Sequence, residues 1–99
     1  MPTEIVGNDP VIIHYVLGHS IIDAGIFDGD YVVVRRQSTA NNGHLVAAVV
    51  SVEEATVKRL RRKDGRVILE AENPAYAPMV FTEGVEILGI VVAVLRRVE

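Results

Sequence analysis

The sequence contains no cysteine and no tryptophan, and only 5% of its residues are aromatic. The lack of cysteine excludes disulfides, thiolate nucleophiles and thiolate metal sites, and it is typical of proteins in a reducing compartment. No apolar run reaches the roughly 18 residues that a membrane span needs, and the N-terminus lacks the basic start and the apolar stretch of a signal peptide. We therefore expect a soluble, cytoplasmic protein with no membrane partner.

Basic charge is also scarce. The formal net charge is −3, whereas a nucleic-acid-binding domain usually presents a basic face. One local basic run extends from Lys58 to Lys63, but it lacks the interleaved aromatic side chains of a single-strand-binding surface. Acidic residues flank this run at Glu53, Glu54 and Asp64. We interpret the run as the solvated end of a hairpin and predict no nucleic-acid partner.

Aliphatic residues are abundant. Apolar residues make up 49% of the chain, and most of them are valine, isoleucine, leucine and alanine. Valine and isoleucine favour strands, because branching at Cβ restricts their rotamers in a way that suits a pleated sheet. A length of 99 residues is enough for one domain and too short for two. We predict a single domain over residues 1–99, with residues 1–10 as a lead-in.

The apolar segments give predicted strands at residues 11–17, 31–36, 44–52, 55–61, 67–70 and 85–98. Residues 20–26 predict one short turn of helix, and Asp64-Gly65 predicts a tight hairpin turn. A bend is expected in the last strand at Gly89. No segment carries a long helical period, so the predicted fold class is all-β, mainly antiparallel, with very little helix.

Few residues are candidates for chemistry. No glycine lies in a phosphate-loop spacing, so no cofactor is predicted. One conceivable site is a triad of Ser20 with a histidine and an aspartate. Its conceivable members are His14 and His44 as bases and Asp23, Asp28 and Asp30 as carboxylates. A triad is defined by geometry, however, and sequence spacing alone does not support this one.

Lys58 is a second type of candidate base. In a strand over residues 55–61, Thr56, Lys58 and Leu60 share one face, which places the lysine beside an apolar residue. A lysine in a low dielectric loses its proton more readily and can then take a proton from a serine hydroxyl. The alternative is an ordinary strand lysine whose stem packs and whose amine reaches water. The residues alone favour that alternative.

The stretch GHSIIDAGIFDGD, from Gly18 to Asp30, resembles the signature of LexA/UmuD-type proteins, in which a serine nucleophile precedes a segment that ends in Asp-Gly-Asp. Further segments match in order and spacing: residues 42–48, EATVKRL at 54–60, ENP at 72–74 and ILGIV at 87–91. The resemblance covers residues 6–98. It implies the bent β fold of the LexA C-terminal domain, with Ser20 as the nucleophile and Lys58 as a buried general base.

The resemblance also implies a self-cleaving peptidase that dimerises. In this family an activated RecA filament stimulates cleavage of an Ala-Gly bond, in an upstream loop that folds into the domain's own cleft. RecA is therefore a partner by family analogy. We expect a homodimer through the C-terminal strand over residues 87–98, because an exposed edge strand offers unpaired backbone groups.

The chain departs from the family pattern in its upstream part. We expect that it lacks both the helix-turn-helix domain and the cleavage loop of its relatives. The Ala-Gly pair of this sequence, Ala24-Gly25, lies just after Ser20 and is typical of a structural turn. We therefore expect neither operator binding nor self-cleavage in the family manner.

Substitutions also cluster around the nucleophile, at His14, Tyr15, Leu17, His19, Ile21 and His44. This uneven divergence predicts a truncated LexA-like scaffold, engineered on the surface near residues 14–21. Three of these side chains, Tyr15, Leu17 and His19, alternate onto one face of the predicted strand and would form an amphipathic stripe suited to a protein interface. Ordinary sheet packing is the alternative.

The predicted surface has further consequences. It implies a designed protein partner, and histidines in the interface would make binding depend on pH near roughly 6 to 7. His14 and His19 are an odd number of positions apart and so lie on opposite strand faces, and no metal site is predicted. The preferred function is a latent Ser–Lys peptidase domain that serves as an interaction or dimerisation module. The alternative is an active hydrolase that uses Ser20 and Lys58 in trans.

Overall fold

The computed structural model describes residues 10–51 and 54–98, and its elements are almost all β-strands. The strands are β1 (Val11–Tyr15), β2 (Tyr31–Arg36), β3 (Leu45–Ser51), β4 (Glu54–Lys63), β5 (Arg66–Glu70), β6 (Met79–Phe81) and β7 (Glu86–Leu95). A 3-10 turn over Ile22–Ala24 lies between β1 and β2. The predicted all-β class is confirmed. The predicted lead-in before Pro10 and the predicted strand end at Val52 lie outside the described residues.

The strands form one antiparallel sheet in the order β1-β2-β7-β3-β4-β5-β6. Neighbouring strands along the chain mostly form hairpins, and the predicted turn at Asp64-Gly65 joins β4 to β5 with positive φ angles of 53° and 76°. The last strand, β7, inserts between β2 and β3. Within the described residues, no helix is long and apolar enough to cross a membrane.

The central position of β7 corrects the expectation of an exposed edge strand over residues 87–98. Residues 86–90 pair with β3 and residues 89–95 pair with β2, so the two ranges overlap at Gly89 and Ile90, which are paired on both sides. In the described part of the chain, residues 91–95 pair with β2 on one side and with no strand on the other side. The strand ends at Leu95. The apolar run of this strand also suits cover on both faces, because Ile90 packs into one core cluster and Val91 packs against another.

At Gly89 the backbone of β7 lies very close to that of a neighbouring strand. It pairs with Arg36 on one side and with Ala47 on the other, and the register against β3 shifts beside it. A Cβ atom at this position would lie 2.1 Å from the carbonyl oxygen of Arg35. The bend predicted at Gly89 stays a prediction, whereas the close approach of two backbones at this position is one that a larger residue would prevent.

The core consists of two apolar clusters on opposite faces of the sheet's middle strands. The first contains Val16, Ile21, Ile26, Val32, Val34, Ala47 and Val57, and the second contains Ala40, Val46, Ala48, Leu60, Leu69 and Ile90. Both β3 and β4 contribute to both clusters, because successive side chains of a strand point to opposite faces. The first cluster includes Ile21 and so anchors the segment that carries Ser20.

Candidate active site

Ser20 and Lys58 lie side by side, although 38 positions separate them in the chain. The Lys58 amine, Nζ, donates a hydrogen bond of 3.0 Å to the Ser20 hydroxyl oxygen, Oγ. Both side chains are part-buried at this contact. The structure therefore brings the two residues of the suggested Ser–Lys pair within the distance over which a base takes a proton from a nucleophile.

Thr56 is the second partner of the Lys58 amine. Its hydroxyl oxygen, Oγ1, accepts a hydrogen bond of 2.6 Å from Lys58 Nζ. Because Thr56 and Lys58 are two residues apart on β4, their side chains share one face, as the strand period predicts. The strand pattern of the sequence predicted Thr56 on this face, but it gave no indication that Thr56 contacts the lysine. Two oxygen acceptors thus orient the amine toward the serine.

Ser20 is presented by a turn that is held in place on both sides of the serine. The chain turns at Gly18 (φ 87°), whose N–H donates to the Asp28 carboxylate at 2.6 Å. On the other side, Ile21 is only 2% exposed and packs in the first core cluster. The serine hydroxyl therefore projects from a short segment that is tied down before and after it.

An open groove of about 730 Å³ contains both residues of the pair. One wall is the end of β1 and the segment that follows it, residues 14–21, and the other walls come from Val50, residues 55–58, Tyr76, Ala77 and Met79. This volume falls within the roughly 300–1,000 Å³ typical of binding sites, and most of the lining side chains are apolar. The groove can hold a short polypeptide segment with a reacting carbonyl beside Ser20.

Most of the residues predicted as an interaction surface line this same groove, but their arrangement differs from the prediction. Leu17 is 78% exposed and Tyr15 is 47% exposed, whereas Ile21 is buried. The predicted strand alternation of Tyr15, Leu17 and His19 is wrong, because β1 ends at Tyr15 and the chain turns at Gly18. The assignment of Ile21 to an exposed surface is wrong as well, because its side chain belongs to the core.

The histidines do not form a joint site. His44 lies before β3, outside the groove lining, and its Nδ1 accepts a hydrogen bond of 3.1 Å from the N–H of Asn41. His14 lines the groove, and burial lowers its pKa below the usual value. Within the described residues, Ser20 Oγ is hydrogen-bonded to Lys58 and not to a histidine. The geometry therefore favours the Ser–Lys arrangement over the Ser–His–Asp alternative.

Two of the three aspartates of that alternative are engaged elsewhere. Asp30 is 3% exposed and pairs with Arg96, while Asp28 holds the backbone of Gly18. In the part of the chain that the structure describes, no three histidine or acidic side chains come together as a metal site would require. The hydroxyl and the amine of the Ser–Lys pair are therefore the groups in the groove that are arranged for chemistry.

The chain is similar to a known protein family and to several known proteins. The peptidase S24-like family matches residues 1–92. The LexA repressor of Parafrankia sp. (strain EAN1pec) is 52% identical over 98 residues, which is 99% of this chain and 38% of that protein. LexA repressor 1 of Nocardia farcinica is 54% identical over 99% of this chain and 44% of its own length, and the LexA repressor of Bacillus velezensis is 51% identical over 84% and 40%. The chain thus spans less than half the length of these relatives.

Proposed function

This chain belongs to the peptidase S24-like family, and we propose that it cleaves a peptide bond with Ser20 as the nucleophile and Lys58 as the general base. The observation that carries the proposal is the 3.0 Å contact between Lys58 Nζ and Ser20 Oγ inside a groove large enough for a polypeptide. An unpaired lysine on a strand surface would turn its amine to water and would need no serine partner.

The proposed reaction uses the two side chains in succession. With its amine deprotonated, Lys58 takes the Ser20 hydroxyl proton as Oγ attacks the carbonyl carbon of the substrate. The tetrahedral intermediate collapses, the C–N bond breaks, and the proton passes from Lys58 to the leaving amine. Water then attacks the acyl group on Ser20, again with Lys58 as the base, and restores the serine. No further cofactor is required by this sequence of steps.

A serine-directed fluorophosphonate tests whether Ser20 is activated. We expect labelling of Ser20, located by mass spectrometry, with a rate that rises with pH as Lys58 loses its proton. Lys58→Ala should slow labelling by about 10²–10⁴-fold, the usual contribution of a general base. Lys63→Ala is the matched control, because Lys63 is an exposed lysine at the end of the same strand. Labelling of the unaltered chain no faster than that of Ser20→Ala would refute the proposal.

A second candidate function is self-association through the end of β7. Among the residues that the structure describes, 91–95 pair with β2 on one side only, and Val92, Val94 and Leu95 are 38%, 39% and 53% exposed. A second copy of the strand could pair with this free side and cover the apolar side chains. Sedimentation at micromolar concentration should give a dimer that Val94→Asp dissociates. Val80→Asp, at an exposed valine of β6, is the control, and a monomer at all concentrations would remove this candidate.

A third candidate is the interaction module with a designed partner at the groove wall. The exposed apolar side chains of Tyr15 and Leu17 in the groove wall support it, since they leave apolar area for a partner to cover. A peptidase groove needs the same apolar wall for its substrate, so the two functions share these side chains. The proposed engineered origin of residues 14–21 stays a prediction.

A further inference from the structure

Ser20 is attached to the rest of the molecule through the main chain of Glu72, a residue just beyond the end of β5. The N–H of Glu72 donates a hydrogen bond of 2.7 Å to the Ser20 carbonyl oxygen. The carbonyl oxygen of Glu72 in turn accepts one of 2.6 Å from the N–H of Asp23. Residue 72 therefore holds the turn that carries the nucleophile at two points, one at the serine itself.

Asn73 adds a third attachment to the same turn. Its side-chain Nδ2 donates a hydrogen bond of 2.7 Å to the carbonyl oxygen of His19, the residue before the nucleophile. Its Oδ1 accepts one of 2.9 Å from the N–H of Ala75, which fixes the orientation of the amide group. Residues 72–73 thus contact three residues around Ser20.

The side chain of Glu72 connects this attachment to β4. Its carboxylate Oε1 lies 2.7 Å from Nη2 of Arg59, the residue next to Lys58. Nη1 of Arg59 also donates a hydrogen bond of 2.8 Å to the carbonyl oxygen of Gly43. The side chains of Arg59 and Glu72 are only 26% and 28% exposed, so the pair is better shielded from solvent than an ordinary surface ion pair.

We propose that the Arg59–Glu72 ion pair is a positioning device, which holds the main chain of Ser20 at the distance where its hydroxyl meets the Lys58 amine. The inference rests on the proposed peptidase function. Two successive residues of β4 have separate tasks: Lys58 contacts the nucleophile's hydroxyl, and Arg59 fixes its main chain through Glu72. Reaction rates respond steeply to such geometry, since a displacement of about 1 Å can cost about 10²-fold.

A matched control pair lies close by, between β4 and β5. Arg61 on β4 lies 3.1 Å from Glu70 on β5, with side chains 47% and 39% exposed. The contacts that hold residues 19, 20 and 23 run through Glu72 and Asn73, and this second pair has no part in them. Loss of the Arg61–Glu70 pair therefore reports the general effect of removing an ion pair between these strands.

The experiment compares Glu72→Ala with Glu70→Ala, and Glu72→Gln serves as the conservative variant. The first readout is amide hydrogen exchange at residues 23 and 72, whose N–H groups form the attachment. The second is the rate and pH profile of fluorophosphonate labelling at Ser20, with thermal unfolding to establish that each variant folds. Amide exchange does not depend on catalysis, so it tests the positioning device by itself.

In Glu72→Ala we expect hydrogen exchange at both amides to be at least 10-fold faster. We expect fluorophosphonate labelling of Ser20 to be at least 10-fold slower. We also expect that in Glu72→Ala the labelling rate of Ser20 no longer rises with pH, as it does when Lys58 acts as the base. Glu72→Gln, which keeps an oxygen for Arg59, should recover most of both effects, and Glu70→Ala should match the unaltered chain. Unchanged exchange and labelling in Glu72→Ala would overturn the inference. Faster exchange in Glu72→Ala, together with no labelling even in the unaltered chain, would overturn the peptidase proposal and support the attachment.

Discussion

The carboxylate of Asp30 receives two hydrogen bonds from the guanidinium of Arg96, at 2.9 and 2.7 Å, although the two residues are 66 positions apart. Arg96 also donates to the carbonyl oxygen of Gly25 at 2.8 Å and lies over the ring of Phe27, 4.7 Å from its centre. The other contact of the carboxylate is the N–H of Phe27, at 2.8 Å. The residue after β7 thus fastens the turn that leads from the nucleophile into β2.

This pair predicts a specific acid sensitivity. The hydrogen bonds from Arg96 and from the Phe27 N–H hold the pKa of Asp30 below its usual value. The ionised carboxylate therefore stabilises the fold fully above the usual value of about 3.9, and this contribution is lost as the pH falls through the lowered folded-state pKa. In urea unfolding between pH 6 and pH 2, Asp30→Asn should be less stable at pH 6 and should lose less stability at low pH. An acid slope as steep as that of the unaltered chain would contradict this prediction.

Gly89 predicts a large steric effect in the middle of the sheet. Gly89→Ala should lower the free energy of unfolding by about 2 kcal/mol or more, because its Cβ would meet the Arg35 carbonyl and backbones must shift. Gly65→Ala is the control: its φ is 76°, but no atom lies within 4 Å of the added Cβ. Gly65→Ala should lower the free energy of unfolding by only roughly 1–2 kcal/mol, the penalty for an alanine in the left-handed backbone conformation. Equal losses in urea unfolding would show that crowding at Gly89 is relieved cheaply.

Leu17 and Ile21 both line the groove, but we expect their replacement by alanine to affect the free energy of unfolding very differently. Ile21→Ala should lower the free energy of unfolding by about 2–5 kcal/mol, since it empties a buried site. Leu17→Ala should change it by less than about 0.5 kcal/mol, because the side chain is mostly in solvent. Chemical denaturation measures both values. A large loss for Leu17→Ala would mean that this side chain packs inward.

His14 predicts a pH dependence near neutrality. Burial lowers the pKa of His14, so the folded protein resists protonation more than the unfolded chain does. Stability from the neutral imidazole is therefore full above about 6.5 and decreases as the pH falls through that value toward the lowered one. His14→Gln should reduce the decrease between pH 8 and pH 5 in urea unfolding. His19→Gln, at an exposed position, should retain it, and identical curves for His14→Gln and the unaltered chain would refute the assignment.

Local pattern was sufficient for much of the sheet. β2 has the predicted bounds, because a run of β-branched residues leaves little choice of local structure. The Asp64-Gly65 turn was predictable from residues that adopt positive φ. The three-residue strand β6, next to Pro78, was not predicted, because so short a segment has no readable period. The phase of β4 placed Thr56 and Lys58 on one face, but the residues alone favoured an ordinary exposed lysine, and only the family resemblance linked Lys58 to Ser20.

The sequence by itself thus determined most of the strand content, the tight turn at Asp64-Gly65 and the shared face of Thr56 and Lys58 on β4, because these depend on a few neighbouring residues. The tertiary structure decided that β7 lies between β2 and β3, that Ile21 is buried while Leu17 is exposed, and that Arg59 reaches Glu72. It also decided the 3.0 Å contact of Lys58 with Ser20. These relations join distant parts of the chain, and they depend on the order and register in which the strands pair, which no local pattern specifies.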